Sequence, residues 1–475
     1  MATWKLPRAG SISSTDGVEP RFAALAARVK AGMRRLGVPG ASLGVWSAGR
    51  EMTACFGRTS IENPLPVHPD TYFQIGSITK TMTTAALLRL AELGKINMDA
   101  PVVSMLPGFS MADPEVTARL TPRHLVTHTG GWVGDYFDDF GNGDDALAKM
   151  VASIGKLPQV TPLGAFWSYN NAGFNIAGRL VEVLSGKTYE KALAELILEP
   201  AGLSRTRFYP DDVLITYRFV SGHEKAAGRT IVSRPWAIGR AGNCVGGGVC
   251  AVGDLLRWAR IMMAGGESPE GKRVLMPESV AEMLEPRIPA GFGKWMALTW
   301  NVRDIGGIRF CGHGGATNGQ QAVLHFAPGK DFAIVLLTNS QSGTVLTDAM
   351  LGWAAKLWFG VESASPEPVA RPKASALEEY VGRYDLPISA FDLAARKGGF
   401  LVVDLPRGGF PRPDSPPGDP EPPMRARLCS GDRFLVLDDP KKGAVGEFIR
   451  DDSGKVAWCR FGGRVHVRKP AVQGR

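Results

Sequence analysis

The order of apolar and polar residues divides the chain into two regions of different character. In the first region, apolar residues recur at helical spacing over residues 20–36 and 344–359, which predicts terminal helices, while "ASLGVWS" and "DFAIVLLTN" predict strands. The segment "TTAALLRLAELGKI" is apolar on nearly every side, as a helix buried in a core is. In the second region, short alternating runs such as "FLVVDL", "RFLVLDD" and "VAWCRF" predict a small all-β domain.

A stretch rich in Pro, Ala and Ser, Phe359–Ser375, shows no periodicity and is typical of a linker. We therefore predict a first domain over residues 1–362, a linker over 363–376 and a second domain over 377–475. Helical segments flank short strands in the first domain, so its fold class is α/β in the broad, α+β sense. Within the second domain, the prolines between Pro411 and Pro423 predict an extended loop, ordered at one end and disordered at the other.

Composition and charge argue against several classes of function. The net charge is +9, but the 55 basic residues are scattered among 46 acidic ones without long like-charge runs, so we expect no nucleic-acid partner. The start of the chain lacks the apolar stretch of a signal peptide, and no long apolar run follows. We therefore expect a cytoplasmic protein with no membrane partner, unless a leader has been removed. The six cysteines have spacings that suit no zinc site, so we expect them to be reduced and expect no metal or cofactor.

Lys80 interrupts the most apolar part of the chain one helical turn after Ser77, in "FQIGSITKTM". Residues three apart share a helix face, so Ser77 and Lys80 point the same way. A desolvated lysine amine is a base that can activate a serine hydroxyl, although a surface lysine at a frayed helix start would give the same pattern. A second Ser-x-x-Lys, Ser153–Lys156, contains Gly155 and precedes Pro158, so we interpret it as a chance match at a helix end.

Two further motifs follow Ser77 along the chain. Tyr169 and Asn171 form a Tyr-x-Asn directly before an amphipathic helix, although a loop tyrosine that caps a core would also fit. His313 and two glycines end a predicted strand, and the glycines allow a ligand to approach the backbone closely. We interpret the other histidines of this region as structural: His124, His128, His223 and His325.

Ser-x-x-Lys, Tyr-x-Asn and His-Gly-Gly, in this order, resemble the motifs of the penicillin-recognising serine hydrolases. The resemblance is to the branch of class C β-lactamases, esterases and D-peptidases, and it covers about residues 20–360, including "LTPRHLVTHTGG" and "GGGVCAVGDLLRWARIMMAGG". It implies a β-lactamase-like domain in which helices flank a central antiparallel sheet, with an additional all-helical region. The tail from "LEEYVGRYD" onward is similar to the lipocalin-like β-barrel that is appended to some D-peptidases and esterases.

The resemblance also implies a role for each motif residue. The catalytic residues would be Ser77, which is acylated, and Lys80 and Tyr169, which transfer protons. The substrate-binding residues would be Asn171, His313, Gly314 and Gly315. The backbone N–H groups of Ser77 and Ala316 would form the oxyanion hole.

One motif residue departs from the β-lactamases. His313 stands where they place the lysine that helps to bind the substrate carboxylate, and a histidine is mostly neutral at pH 7. The chain therefore looks more like the carboxylesterases and D-amino-acid peptidases or amidases, which act on a small-molecule ester, amide or peptide. A β-lactamase or transacylase of the same fold is the alternative. A catalytically silent binding or scaffolding protein is the alternative from another class, but such a protein would be expected to lose Ser77, Lys80 or Tyr169.

Overall fold

The structure is a computed structural model that describes residues 12–13, 19–364, 366–369, 372–387, 389–408, 414 and 416–469. Its α-helices in chain order are α1 (Pro20–Leu36), α2 (Thr79–Glu92), α3 (Pro114–Arg119), α4 (Pro122–Val126), α5 (Ala146–Ile154), α6 (Asn171–Ser185), α7 (Tyr189–Leu193), α8 (Glu199–Ala201), α9 (Pro210–Leu214), α10 (Asn243–Gly246), α11 (Val252–Met263), α12 (Pro277–Leu284), α13 (Thr344–Ala354) and α14 (Ala374–Glu378).

The strands in chain order are β1 (Ile12–Ser13), β2 (Gly40–Ser47), β3 (Arg50–Gly57), β4 (Phe73–Gln74), β5 (Thr206–Arg207), β6 (His223–Ala226), β7 (Arg229–Val232), β8 (Val249–Cys250), β9 (Ile288–Pro289), β10 (Lys294–Met296), β11 (Asn301–Ile305), β12 (Ile308–Thr317), β13 (Gln320–Ala327), β14 (Phe332–Thr338), β15 (Gly382–Leu386), β16 (Ser389–Arg396), β17 (Gly399–Pro406), β18 (Met424–Cys429), β19 (Arg433–Val436), β20 (Val445–Arg450), β21 (Val456–Phe461) and β22 (Arg464–Lys469).

The first region is built on one antiparallel sheet in the order β1-β3-β2-β14-β13-β12-β11-β10-β9. Successive side chains of a strand point to opposite faces, and both faces of β14 are covered. Ile334 and Leu336 belong to the core formed with α1 and α13, whereas Val335 and Leu337 belong to the larger core that contains α2, α6 and α11. Burial on both faces explains why the sequence of β14 is a nearly continuous run of apolar residues.

The second region is a closed antiparallel barrel of strands β15 to β22. Its interior is filled by side chains, and the largest are aromatic: Tyr384, Phe391, Phe400, Phe434 and Phe448. The predicted fold class is therefore confirmed: a helix-flanked antiparallel sheet with a helical region, followed by a small all-β barrel.

The predicted elements agree with the structure apart from their ends. The helix predicted over residues 344–359 is α13 with a final π-helical turn, Ala355–Phe359. The strand that was predicted to end at Gly315 continues to Thr317. In the predicted linker, Val369 N donates to Leu428 O, so part of that segment is attached to the barrel. The predicted proline-rich loop lies outside the described residues at 411–413 and 415, and residues 416–423 have no regular secondary structure.

Within the described parts of the chain, no helix combines the length and the apolar character that crossing a membrane requires. All six cysteines are buried and none is disulfide-bonded. The described residues contain no group of three or more His, Cys, Asp or Glu side chains that is placed to hold a metal ion.

Candidate active site

Ser77 lies in the 3₁₀ turn Gly76–Ile78, between β4 and the first residue of α2. The helix begins where the sequence predicts one, and the turn in front of it depends on close backbone contact. Gly76 has a positive φ of 50°, and a Cβ at Gly315 would lie 1.8 Å from Ile75 O and 3.0 Å from Ser77 N. Glycine accommodates the positive φ at position 76 and the lack of space for a Cβ at position 315. The backbone of β12 can therefore contact the turn that carries Ser77 directly.

Lys80 is completely buried, and it faces Ser77 as predicted. Its Nζ lies 2.8 Å from Ser77 Oγ and donates a hydrogen bond of 2.8 Å to Val245 O, on α10. Burial lowers the pKa of this amine well below its ordinary value, and the positive charge of Arg464 lowers it further, whereas Asp135 acts in the opposite direction. Lys80 is therefore suited to be an uncharged base next to the serine hydroxyl.

Tyr169 completes this group from the loop before α6. Burial raises the pKa of its phenol, and the neighbouring Ser77 hydroxyl acts in the opposite direction. The centre of its ring lies 5.1 Å from Lys80 Nζ. On the other side the ring stacks on His128, with ring centres 4.4 Å apart. His128 follows α4 and is itself buried, and its Nδ1 accepts a hydrogen bond from Asn170 N. It supports the tyrosine, in agreement with the structural role that we predicted for it.

His313 lies on β12 and is 3% exposed. Its Nδ1 lies 2.6 Å from Gly314 O, and since a carbonyl can only accept, Nδ1 carries the proton. Its Nε2 is then an unprotonated acceptor, and it is buried without a hydrogen-bond partner among the described residues. Burial lowers the pKa of His313 to about 4. The imidazole is therefore neutral at pH 7.

The two backbone nitrogens that were predicted to form an oxyanion hole, those of Ser77 and Ala316, lie at the contact between β12 and the Ser77 turn. A Cβ at Gly76 would lie 2.6 Å from Ala316 N, and one at Gly315 would lie 3.0 Å from Ser77 N. The two backbone N–H groups are thus neighbours on the side of Ser77 that faces β12. Such a pair of donors can stabilise the negative oxygen of a tetrahedral intermediate.

Asn171 is the first residue of α6, and its side chain is hydrogen-bonded within the protein. Its Nδ2 donates a hydrogen bond of 2.7 Å to Asp135 Oδ1. Asp135 in turn accepts two hydrogen bonds of 3.0 Å from the guanidinium of Arg464, one on each oxygen. The side chain of Asp135 is only 3% exposed, whereas that of Arg464 is 32% exposed, so a buried carboxylate pairs with a partly exposed guanidinium.

Arg464 comes from the barrel, at the start of β22. Its guanidinium lies over the ring of Tyr169, 4.9 Å from the ring centre. The neighbouring backbone is attached to the same loop: Tyr169 N donates to Gly463 O over 2.9 Å, and Val465 N donates to Ser168 Oγ over 3.1 Å. A recess between the two regions is lined by residues of both, including Asp135, Tyr169, Leu386 and Arg464. The barrel therefore forms one wall of the site.

The structure thus brings together all the motif residues that the sequence analysis selected, and it adds three groups. Asp135 lies in the loop between α4 and α5, and no pattern in the sequence singled it out. Val245 contributes a backbone carbonyl, which a sequence cannot reveal. Arg464 lies in a hairpin of the barrel about three hundred residues after Tyr169. Ser153 takes no part: it lies at the end of α5 and donates to Met150 O.

Comparison with known proteins agrees with this geometry. The Beta-lactamase family matches residues 25–356. The chain is 32% identical over 315 residues to penicillin-binding protein 4 of Amycolatopsis lactamdurans, covering 65% of this chain and 82% of that protein. It is 31% identical over 153 residues to esterase EstB of Burkholderia gladioli, which covers 29% of this chain and 38% of the esterase. The crystal structure of SurE has the same fold, with a TM-score of 0.75, 24% identity and coverage of 94% of this chain and 99% of that chain.

Proposed function

Since the chain belongs to the beta-lactamase family of serine hydrolases, we propose that it forms an acyl-enzyme on Ser77 and acts as a carboxylesterase or as a D-amino-acid peptidase or amidase. One observation carries this proposal. Lys80 Nζ is buried, has a lowered pKa and lies 2.8 Å from Ser77 Oγ. Burying an amine is costly, and an amine at that distance is the base that a nucleophilic serine needs.

In the acylation step, Ser77 Oγ attacks the carbonyl carbon of the substrate while its proton passes to Lys80. The carbonyl oxygen becomes negative and accepts hydrogen bonds from Ser77 N and Ala316 N. When the intermediate collapses, the bond to the leaving group breaks, and the proton reaches that group through Tyr169. The products are an ester on Ser77 and a free alcohol or amine.

In the deacylation step, a water molecule gives up a proton to the same pair of groups and attacks the ester carbon. The bond to Ser77 Oγ breaks and the proton returns to the serine, so that the acid is released and the enzyme is restored. The lowered pKa of Lys80 favours its uncharged form, which can accept the proton in both steps.

The charges around the site favour esters and aminoacyl amides over β-lactams. His313 is neutral, since burial lowers its pKa to about 4. Arg464 is positive, but both of its bonds to Asp135 are already made. The free site therefore holds no unpaired permanent cation to attract the carboxylate of a β-lactam. The similarity to EstB, which is named an esterase, supports the same class of substrates.

Labelling with a fluorophosphonate, read as the mass of the intact protein, tests the proposal. The wild type and Ser153→Ala should each gain one adduct, whereas Ser77→Ala should gain none. Ser153 is the matched control because it belongs to the second Ser-x-x-Lys. Unlabelled wild-type protein would support a silent binding protein instead. A comparison of kcat/KM for short-chain esters, D-amino-acid amides and a chromogenic cephalosporin then separates the hydrolase from a β-lactamase.

A further inference from the structure

Glu190 is a buried carboxylate that the acyl-transfer steps above do not use. It belongs to α7 and is 7% exposed. Its Oε1 accepts a hydrogen bond of 2.7 Å from Nδ2 of Asn243, the first residue of α10, and its Oε2 accepts one of 3.2 Å from the Tyr209 hydroxyl. The guanidinium of Arg240 donates to both oxygens, over 3.4 and 3.5 Å. Asn243 is therefore held by a carboxylate that other donors fix in place.

The short helix α10 supplies the hydrogen-bond partner of Lys80. Val245 O accepts from Lys80 Nζ over 2.8 Å, and the carbonyl before it, Cys244 O, accepts from Thr83 Oγ1 over 2.7 Å. Both donors belong to α2, one helical turn apart. Because α10 has only four residues, its own backbone bonds stabilise it little, and its position depends on the side chains that bind it from neighbouring elements.

Glu190 and its neighbour Tyr189 attach α7 to both sides of this contact. The Tyr189 hydroxyl lies 2.8 Å from Thr83 Oγ1 on α2, whereas Glu190 binds Asn243 on α10. Tyr189 is 1% exposed and Asn243 is 4% exposed, so both attachments are internal. Two consecutive residues of one helix thus fix the two elements between which the hydrogen bond of Lys80 is made.

The bond to Val245 O orients the lone pair of Lys80. An uncharged amine has two N–H bonds and one lone pair, and a carbonyl can only accept, so Val245 O binds one N–H. The lone pair can then point to Ser77 Oγ, which lies 2.8 Å from Nζ. A shift of α10 would turn the amine, and a misplacement of about 1 Å can lower a rate by about a hundredfold.

We propose that Glu190 is a positioning residue for acyl transfer that acts through Asn243. It fixes α10, so that Val245 O holds the Lys80 amine in the orientation that accepts the serine proton. The proposal rests on the acyl-enzyme function proposed above, and it adds a residue that touches neither the substrate nor the reacting atoms. What the reaction requires of Glu190 is its hydrogen bond to Asn243, whichever of the two side chains carries the negative charge.

An exchange of the two side-chain groups provides the test. Asn243→Asp alone places two carboxylates side by side, and it should lower kcat for a short-chain ester by about ten- to a hundredfold while KM stays within about threefold of the wild-type value. Adding Glu190→Gln places an amide donor opposite the new carboxylate, so the hydrogen bond forms again with donor and acceptor exchanged. This double variant has the net charge of the wild type, and its kcat should return to within about threefold of the wild-type value.

A matched control separates rate from stability. Glu182→Gln changes another buried carboxylate beside α7, which is also 7% exposed but binds Arg179 and Tyr189 N and makes no hydrogen bond to α10. This variant should keep the wild-type kcat even where its melting temperature falls. All rates are measured well below the melting temperature of each variant, so that loss of folded protein does not contribute.

An Asn243→Asp enzyme with the wild-type kcat overturns the inference, as does an exchanged double variant that stays as slow as the single one. If Asn243→Asp does not fold, Asn243→Ala decides, because it leaves Glu190 bound to Arg240 and Tyr209 and should show the same loss of kcat. Labelling of wild-type Ser77 by a fluorophosphonate distinguishes the two levels of the argument. Without labelling, the proposed function fails and the inference fails with it, whereas with labelling a negative result concerns Glu190 alone.

Discussion

Arg464 of the barrel and Asp135 of the sheet-and-helix region form a two-bonded ion pair, with both donor–acceptor distances at 3.0 Å. The pair stands beside Tyr169, and it connects the barrel to Asn171 as well. Aromatic side chains fill the interior of the barrel. The barrel therefore contributes to the candidate active site through its outer surface. That contribution is a wall of the candidate active site.

Loss of the Arg464 charge should change the pH dependence of the reaction. The charged or titratable groups that act on Lys80 are Arg464, Asp135 and Cys244, and Arg464 lowers the pKa of Lys80 while Asp135 raises it. In Arg464→Gln the pKa of Lys80 should therefore rise. A base works only when deprotonated, so the acid limb of the kcat/KM profile should move to higher pH, with the largest loss of activity at low pH.

The matched control for that experiment is Arg425→Gln. Arg425 is an exposed barrel arginine, and its side chain pairs with Asp438 instead of with a residue of the candidate active site. Its profile should coincide with that of the wild type. An Arg464→Gln enzyme whose activity drops by the same factor at every pH would show that Arg464 serves only to dock the barrel.

Lys80 and Tyr169 should behave as one proton-transfer unit. Lys80 hydrogen-bonds Ser77, and the Tyr169 ring lies 5.1 Å from Lys80 Nζ, so the loss of either group interrupts the same proposed proton path. We expect Lys80→Ala and Tyr169→Phe each to lower kcat by about 10²–10⁴-fold. The double variant should be little slower than the slower single variant, because residues that act as a unit are non-additive. Effects that multiply would mean that one of the two supports the structure only.

Introducing a lysine at position 313 should increase reactivity with β-lactams relative to esters. A charge-assisted hydrogen bond to the β-lactam carboxylate contributes about 1.5–3 kcal/mol, or roughly ten- to a hundredfold in kcat/KM. The comparison requires kcat/KM for a cephalosporin and an ester on both His313→Lys and the wild type. The new ammonium would be buried where His313 is 3% exposed, so we also expect a lower melting temperature. A wild type that hydrolyses the cephalosporin faster than every ester and amide would refute the proposed substrate class.

Two glycine-to-alanine changes should have opposite effects on stability. At Gly315 a Cβ would lie 1.8 Å from Ile75 O, so Gly315→Ala must displace the Ser77 turn and should lower the free energy of unfolding by about 1–3 kcal/mol or more, with loss of activity. Gly352 lies in the last turn of α13, before the π-helical turn, with nothing within 4 Å of a Cβ, so Gly352→Ala should raise the free energy of unfolding by about 0.5–1 kcal/mol. Denaturant unfolding of both variants measures the difference. Equal stability of the two variants would contradict the close contact at Ser77.

The sequence alone was sufficient for those features that depend on local pattern. The helix over 20–36 and the buried helix after Ser77 follow from residue spacing and composition, and β14 follows from an apolar run bounded by polar residues. Ser77 and Lys80 could be paired because three residues along a helix bring two side chains to one face. The barrel was predicted from short alternating runs, since alternation is the direct consequence of a strand with one buried face.

Tertiary structure decided everything that depends on contacts between distant segments. No pattern in the sequence connects Arg464 to Asp135, because their pairing arises from the docking of a barrel hairpin on a loop that lies more than three hundred residues earlier. The same holds for Val245, which acts through a backbone carbonyl that every residue type possesses. The resemblance to the family implied that Asn171 lies near the substrate, but only the buried carboxylate beside it determined which end of its amide is already hydrogen-bonded. Hydrogen-bond direction depends on the partner, and the partner is a property of the folded chain.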